Sequence, residues 1–315
     1  MTHDLTRGFR RSSSAPVLLA GALFLTLLLI ACSGGNHDPV VNDDTGNDQV
    51  GVGDIFLFLI TSDSSVGENR LPFALRRANG LKADLESSAV TLRYEKRDSG
   101  SVQTTPEATF RQWPVGSGIF TTKAVYDSAG IWDFTATITG PDGTTQMAEA
   151  AILVKEVSST PAIGSAAPVV ASKTGSTPEE LALISSDANP IPELYAVSFD
   201  DALAARKPVM VTFSTPALCA TQTCGPQVTT VDQVRRNHVD DAAFIHVELF
   251  DNPDVMRESG DPALGVEAPT LEPWNLPSEP WTFIVDGDGL IAAKFEAFTT
   301  ADELEEALAA VLADG

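Results

Sequence analysis

Val209-Met210-Val211-Thr212-Phe213-Ser214-Thr215-Pro216-Ala217-Leu218-Cys219-Ala220-Thr221-Gln222-Thr223-Cys224-Gly225-Pro226-Gln227 is the stretch from which the fold can be read. Val209 to Phe213 is a continuous apolar run, the pattern of a strand buried on both faces of a sheet. A short turn carries Cys219. Cys224-Gly225-Pro226 then opens a helix, with proline where a missing N–H costs nothing. A strand that delivers a thiol to a helix N-terminus has a chemical use. Unpaired amide N–H groups and the helix dipole favour negative charge there, which lowers a thiol pKa. Apart from Cys32, these are the only cysteines in the chain.

Outward from this turn, residues 190–315 alternate helix and strand. Ser198, with Asp201 three positions on, predicts the cap of a short helix ending before Pro208. The helix after the turn is expected to run to Asn237, with Val228, Val231 and Val234 on its apolar face. Phe244 to Leu249 is the next strand, followed by a long acidic, proline-rich loop from Asp251 to Glu279. Trp281 to Val285 and Leu290 to Phe295 predict a hairpin around Asp286-Gly287-Asp288-Gly289. Thr300 with Glu303 predicts a capping box for a last helix whose stripe is Leu304, Leu308, Val311 and Leu312.

Strand, cysteine turn, helix, strand, loop, hairpin and terminal helix is the element order of a thioredoxin fold. Cys224-Gly225-Pro226 resembles the Cys-Gly-Pro of the thioredoxin active site. Pro280-Trp281-Thr282-Phe283-Ile284-Val285-Asp286 resembles the proline-led strand of membrane-tethered thioredoxins facing the periplasm. The resemblance implies an α/β thioredoxin-like fold, with Pro280 cis beside the active cysteines and Gly225, Pro226 and Trp281 near the site. It also marks departures. Gln227 stands where that family has its second cysteine, and Leu218 replaces the tryptophan before the first. Thr212 replaces the buried acid that serves as proton acceptor. The second cysteine lies upstream, giving Cys219-x-x-x-x-Cys224.

The chain begins with Arg7, Arg10 and Arg11 ahead of the apolar run Ala15 to Ala31, which has the length of a secretory core segment. Leu29-Ile30-Ala31-Cys32 resembles the bacterial lipobox. That implies a signal over residues 1–32 that is cleaved before Cys32, with diacylglycerol attached to its thiol. Residues 33–51 are rich in Gly, Asn and Asp and read as a solvated tether. The expected location is therefore the extracytoplasmic face of the cell membrane, where disulfides persist.

Residues 52–157 show strand patterns only: 54–60, 69–77, 89–96, 108–113, 118–126, 131–138 and 146–154, separated by turn signals such as Gly140-Pro141-Asp142-Gly143. This spacing predicts an antiparallel sandwich. Val66-Gly67-Glu68-Asn69-Arg70-Leu71-Pro72-Phe73 and Ser128-Ala129-Gly130-Ile131-Trp132 resemble immunoglobulin-like modules of extracytoplasmic bacterial proteins, including the YtkA-like type. Trp113 and Trp132 are expected in its core. The chain is thus expected to be multidomain: an all-β immunoglobulin-like sandwich, a Ser/Thr/Ala/Pro-rich linker over 158–189, and the α/β region.

Forty-three acidic residues against 20 basic ones give a formal charge of −23. That excludes nucleic acid and electrostatic attachment to anionic lipid. His3, His37, His238 and His246 have no metal-site spacing, and nothing calls for a nucleotide, haem or metal cofactor. His246 reads as packed or edge-exposed, Glu248 as pointing to solvent or the rim, and Trp274 and Trp281 as filling or shielding the surface near the turn, with Trp281 within reach of a partner chain.

Three uses of the thiols stay open. Cys219 and Cys224 can exchange disulfides with exported proteins. They can staple a non-catalytic module that binds a cell-surface partner. Reduced, they offer a soft pair suited to Cu(I). Cys224 is favoured as attacker by the helix start, Cys219 by its distance from the strand.

Overall fold

A computed structural model describes residues 51–52, 55–77, 85–114, 118–219 and 221–314. The signal segment, Cys32 and the tether through residue 50 lie outside them. No helix among the described residues is long and apolar enough to cross a membrane.

The first region is a β-sandwich. One sheet has the order β1(Gly51–Val52), β9(Thr145–Val154), β8(Gly130–Thr139), β4(Ala89–Lys96), β5(Val102–Thr104). The other runs β2(Ile55–Leu59), β3(Gly67–Arg77), β7(Ile119–Tyr126), β6(Thr109–Arg111). The alternation in β8 sends Trp132, Phe134, Ala136 and Ile138 inward, because successive strand side chains point to opposite faces. They meet Leu71, Phe73, Phe120 and Tyr126 of the facing sheet in one core. Tyr94 ties the sheets together: its hydroxyl donates to Gln103 Oε1 (3.0 Å) and accepts from Val125 N–H (3.0 Å). Strand β5 went unread in the sequence because three exposed or half-buried residues carry no periodic signal.

The second region is a four-stranded sheet ordered β11(Ala243–Glu248), β10(Val209–Ser214), β12(Trp281–Val285), β13(Ile291–Glu296). β10 pairs parallel with β11 and antiparallel with β12, and β12 antiparallel with β13. With β10 central, every one of its residues is buried, as its unbroken apolar run requires. Met210 faces α3(Cys224–Asn237) and α5(Ala301–Asp314), whose Val228, Val231, Val234, Leu304 and Leu308 fill that layer. Val209, Val211 and Phe213 face Phe199, Trp274 and Trp281 on the other side.

Several local expectations need correction. Residues 158–189 contain α1(Pro178–Ile184), opened by a capping box between Thr177 and Glu180. The acidic loop contains α4(Pro253–Ser259), which starts at a proline and ends at left-handed Gly260. Both helices are too short for a periodic stripe, so only their caps could reveal them. Ser198 stands ahead of α2(Phe199–Ala204) but does not cap it with its side chain; its hydroxyl donates to Asp200 and accepts from Ser172 N–H (3.0 Å). Helix α3 starts at Cys224, so Pro226 is its third residue, still within the turn whose N–H groups lack helical partners. Trp113 packs edge-on against Phe298 of the α/β region (centroids 5.9 Å), outside the sandwich core cluster.

Thr300 and Glu303 meet side chain to side chain, Thr300 Oγ1 donating to Glu303 Oε2 (3.5 Å), and Glu303 has a second duty. Its carboxylate takes both Nε and Nη2 of Arg70, each at 3.0 Å. Arg70 also donates to Glu296 O (3.1 Å). This fork ties sandwich strand β3 to α5, and the described residues form one compact unit. Glu303→Ala is expected to lower stability by about 2 kcal/mol, the cost of removing a charged hydrogen-bond partner from a mostly buried guanidinium. Denaturant midpoints at neutral pH check this.

Candidate functional site at the cysteine turn

The chain leaves β10 at Ser214, turns through Thr215-Pro216-Ala217-Leu218, and reaches Cys219, which is disulfide-bonded to Cys224 with Cα atoms 6.0 Å apart. The two sulfurs differ in surroundings. Cys219 is half-buried, with Thr221 Oγ1 3.1 Å from its Sγ. Cys224 is fully buried at the first residue of α3. A thiolate formed at Cys224 therefore sits against the positive end of a 14-residue helix, which stabilises it.

Residues from the preceding segment hold the turn. Ser186 Oγ accepts from Ala217 N–H (3.2 Å) and lies 3.4 Å from Thr215 Oγ1. Ser186 N–H donates to Glu248 Oε2 (2.8 Å). Glu248 is thus a buried anchor, with Oε1 accepting from Leu249 N–H (3.0 Å). Its expected place at the solvent or rim is wrong, because alternation along β11 could not show that residues 185–186 would cover that face. His246 is fully buried. Its Nδ1 lies 2.6 Å from Tyr195 Oη, and its Nε2 2.9 Å from Ser214 Oγ. Burial pushes the imidazole pKa down against the upward pull of Glu248, and burial likewise raises the Tyr195 phenol. These groups form a satisfied network under the turn.

Gln227 occupies the departure from the thioredoxin-like pattern and has a structural use. Fully buried, it donates through Nε2 to Thr282 Oγ1 (3.2 Å) and accepts Thr299 N–H at Oε1 (2.8 Å). Thr282 donates to Thr212 Oγ1 (3.1 Å), which donates to Trp281 O (3.3 Å). The two departures Gln227 and Thr212 thus belong to one hydrogen-bonded chain that locks α3 onto β10 and β12.

The peptide bond Glu279–Pro280 is cis, as the resemblance implied for Pro280. Pro280 is buried at the head of β12, and Trp281 is 2% exposed. Trp281 stacks on Phe283 (centroids 5.7 Å) and donates from Nε1 to Ser278 Oγ (3.1 Å). Burial on this scale removes Trp281 from contact with a partner chain, and Trp274 is likewise core. Glu279 was missed by sequence reasoning. A carboxylate oxygen of Glu279 and both cysteine sulfurs lie within 4.8 Å of one another. Joined to each other, the sulfurs offer no thiolate, so this trio could hold a metal only after reduction.

The sandwich reaches this loop. Glu296 accepts Ser62 N–H at Oε2 (2.8 Å) and Ser278 Oγ–H at Oε1 (2.6 Å). Beside the helix start lies an open groove of about 710 Å³ lined by Pro216, Ala217, Gly225, Pro226, Phe298 and, from the sandwich, Pro114. The two near-site residues Gly225 and Pro226 are thus part of its wall.

The strand order, the cysteine-bearing helix after the central strand and the cis proline at the head of β12 define the α/β region as thioredoxin-like. No protein-family model and no curated protein sequence matches the chain. Among solved structures it is similar to two thiol:disulfide interchange proteins of Chlorobium tepidum. One, assigned as DsbE, is 18% identical over 49% of this chain and 99% of that one, with a TM-score of 0.34. The other, of the thioredoxin family, is 14% identical over 48% and 98%, with a TM-score of 0.32. StoA from Bacillus subtilis is 15% identical over 40% and 93%, with a TM-score of 0.28. The thioredoxin-like class rests on sheet order, register and the placement of the turn.

Proposed function

We propose that this chain performs thiol–disulfide exchange through Cys219 and Cys224, on exported proteins, from a lipid anchor at Cys32 on the extracytoplasmic face of the membrane. The observation that carries the chemistry is the asymmetry of the disulfide. Cys219 Sγ is the sulfur within a partner's reach, and Cys224 Sγ is buried at the start of α3. A partner thiolate attacks Cys219 Sγ, the Cys219–Cys224 bond breaks, and its electron pair stays on Cys224 as a thiolate. The partner's second thiolate then attacks the partner sulfur of the mixed disulfide and releases Cys219 as a thiolate. The partner dithiol is oxidised and this pair reduced; the reverse sequence reduces a partner disulfide. The apolar groove beside Gly225 and Pro226 suits the segment flanking the partner's cysteine. For the sandwich we infer an immunoglobulin-like module, whose contacts to Glu296 support the loop beside the disulfide.

The second reading is a non-catalytic surface module with Cys219–Cys224 as a staple. It is favoured by Gln227 and Thr212, which have structural duties. Equilibration of the full chain against glutathione or dithiothreitol buffers separates the two. Exchange predicts a potential above about −300 mV; a value well below that marks a structural bond and overturns the redox reading. The anchor predicts membrane fractionation that becomes soluble in Cys32→Ser; unchanged fractionation overturns that part.

A further inference from the structure

A disulfide that opens and closes beside a buried sulfur needs a group to take and return the proton of that sulfur. The strand position that holds an acid in the thioredoxin pattern is Thr212 here, and its hydroxyl is engaged with Thr282 and Trp281. A carboxylate arrives from a different element. Glu279 precedes Pro280, and its oxygen lies within 4.8 Å of Cys219 Sγ and Cys224 Sγ, a separation that one water molecule bridges. The backbone around it is held on both sides. Ser278 is hydrogen-bonded to Glu296 and to the Trp281 indole, and Pro280 O accepts Ala297 N–H (2.9 Å). The residues on either side of Glu279 are therefore held by β12, by β13 and, through Ser62 and Glu296, by the sandwich.

We propose that Glu279 is the acid–base residue of the Cys219–Cys224 couple. The inference rests on thiol–disulfide exchange being the reaction. In the closing step the partner is bound to Cys219 Sγ as a mixed disulfide. The Cys224 thiol gives its proton to the Glu279 carboxylate. The Cys224 thiolate attacks Cys219 Sγ, the Cys219–Cys224 bond forms, and the Cys219–partner bond breaks with its electron pair on the departing partner thiolate. Glu279, now protonated, passes the proton to that thiolate or to water. In the opening step the same carboxylic acid protonates Cys224 as it leaves. Charges and atoms balance in both directions, and no further redox partner is needed.

The test uses the full chain, reduced and mixed with an aromatic disulfide reagent whose released thiolate absorbs visible light. The first release reports attack by Cys219; the second reports closure by Cys224. Background is read from the Cys219→Ser, Cys224→Ser double variant. Glu279→Gln and Glu279→Ala are expected to slow the second release on the order of a hundredfold at neutral pH, leaving the first within about twofold. Acetate is expected to accelerate closure in Glu279→Ala and not in the wild type, and Glu279→Asp to keep part of the rate. An unchanged second release overturns the role of Glu279 while leaving exchange intact. Equal slowing of both releases without acetate rescue shows a merely structural residue and overturns it as well. A wild-type chain with no second release sinks the exchange reading itself.

Discussion

Cys224→Ser is expected to turn exchange into capture. With the buried sulfur gone, a partner disulfide attacked by Cys219 stays bound, because nothing within the turn can displace it. Incubated with a disulfide-bonded peptide, the reduced variant should accumulate a stoichiometric adduct that disappears on adding dithiothreitol, while turnover falls to background. Cys219→Ser should form little adduct, since Cys224 is fully buried. Mass spectrometry of the intact chain reads both results. Capture by Cys219→Ser rather than Cys224→Ser would reverse the assignment of attacker and resolver. Capture by neither would leave only the staple.

Asp63→Ala should produce the largest loss of stability, about 4 kcal/mol. The Asp63 side chain is completely buried where the sandwich, the linker and the thioredoxin-like sheet meet. It accepts from Ser159 N–H (2.7 Å), Thr160 N–H (3.1 Å), Ser158 Oγ (2.5 Å) and Lys155 Nζ (3.1 Å), with Lys294 Nζ at 3.6 Å. Its removal strips the counter-charge from Lys294, whose own pKa burial already pushes down against the pull of Asp63. Burial alone would raise the Asp63 pKa, but the hydrogen bonds from Ser158, Ser159, Thr160 and Lys155 outweigh it and hold the carboxyl well below its ordinary 3.8. The folded value is lower than the unfolded one, so the contribution is fully present above the unfolded value and is lost as pH falls through the folded one. Denaturant unfolding from neutral pH downward should therefore show wild-type stability declining below about pH 4. Asp63→Ala should show a lower plateau and a shallower decline. Equal stability of the two proteins at neutral pH would remove Asp63 from the junction.

The Asp63 cluster also shows what pattern reading cannot reach. Asp63 sits between strands in a Ser-rich turn, and its partners are more than 90 residues away. A lone aspartate with no periodicity reads as a surface residue, and only the docking of three segments buries it. Glu248 was misread for the same reason, since residues 185–186 cover it from a segment that looked like a linker. Helices α1 and α4 were hidden by their seven-residue lengths, because two turns hold too few apolar positions to form a stripe.

The sandwich strands were legible because alternation in β4 and β8 is a direct imprint of one-sided burial. The thioredoxin-like order was legible from the unbroken run Val209 to Phe213, the helix-opening Cys224-Gly225-Pro226 and the proline-led strand at Pro280. Both signals are local: a strand records in its own residues which faces are dry. By itself the sequence therefore determined the two regions, the central strand and the pair Cys219–Cys224. Which sulfur is the more accessible, what Gln227 replaces its missing thiol chemistry with, and which acid stands beside the disulfide were decided by tertiary structure. Each depends on approach between segments tens of residues apart, and such approach leaves no periodicity in the chain.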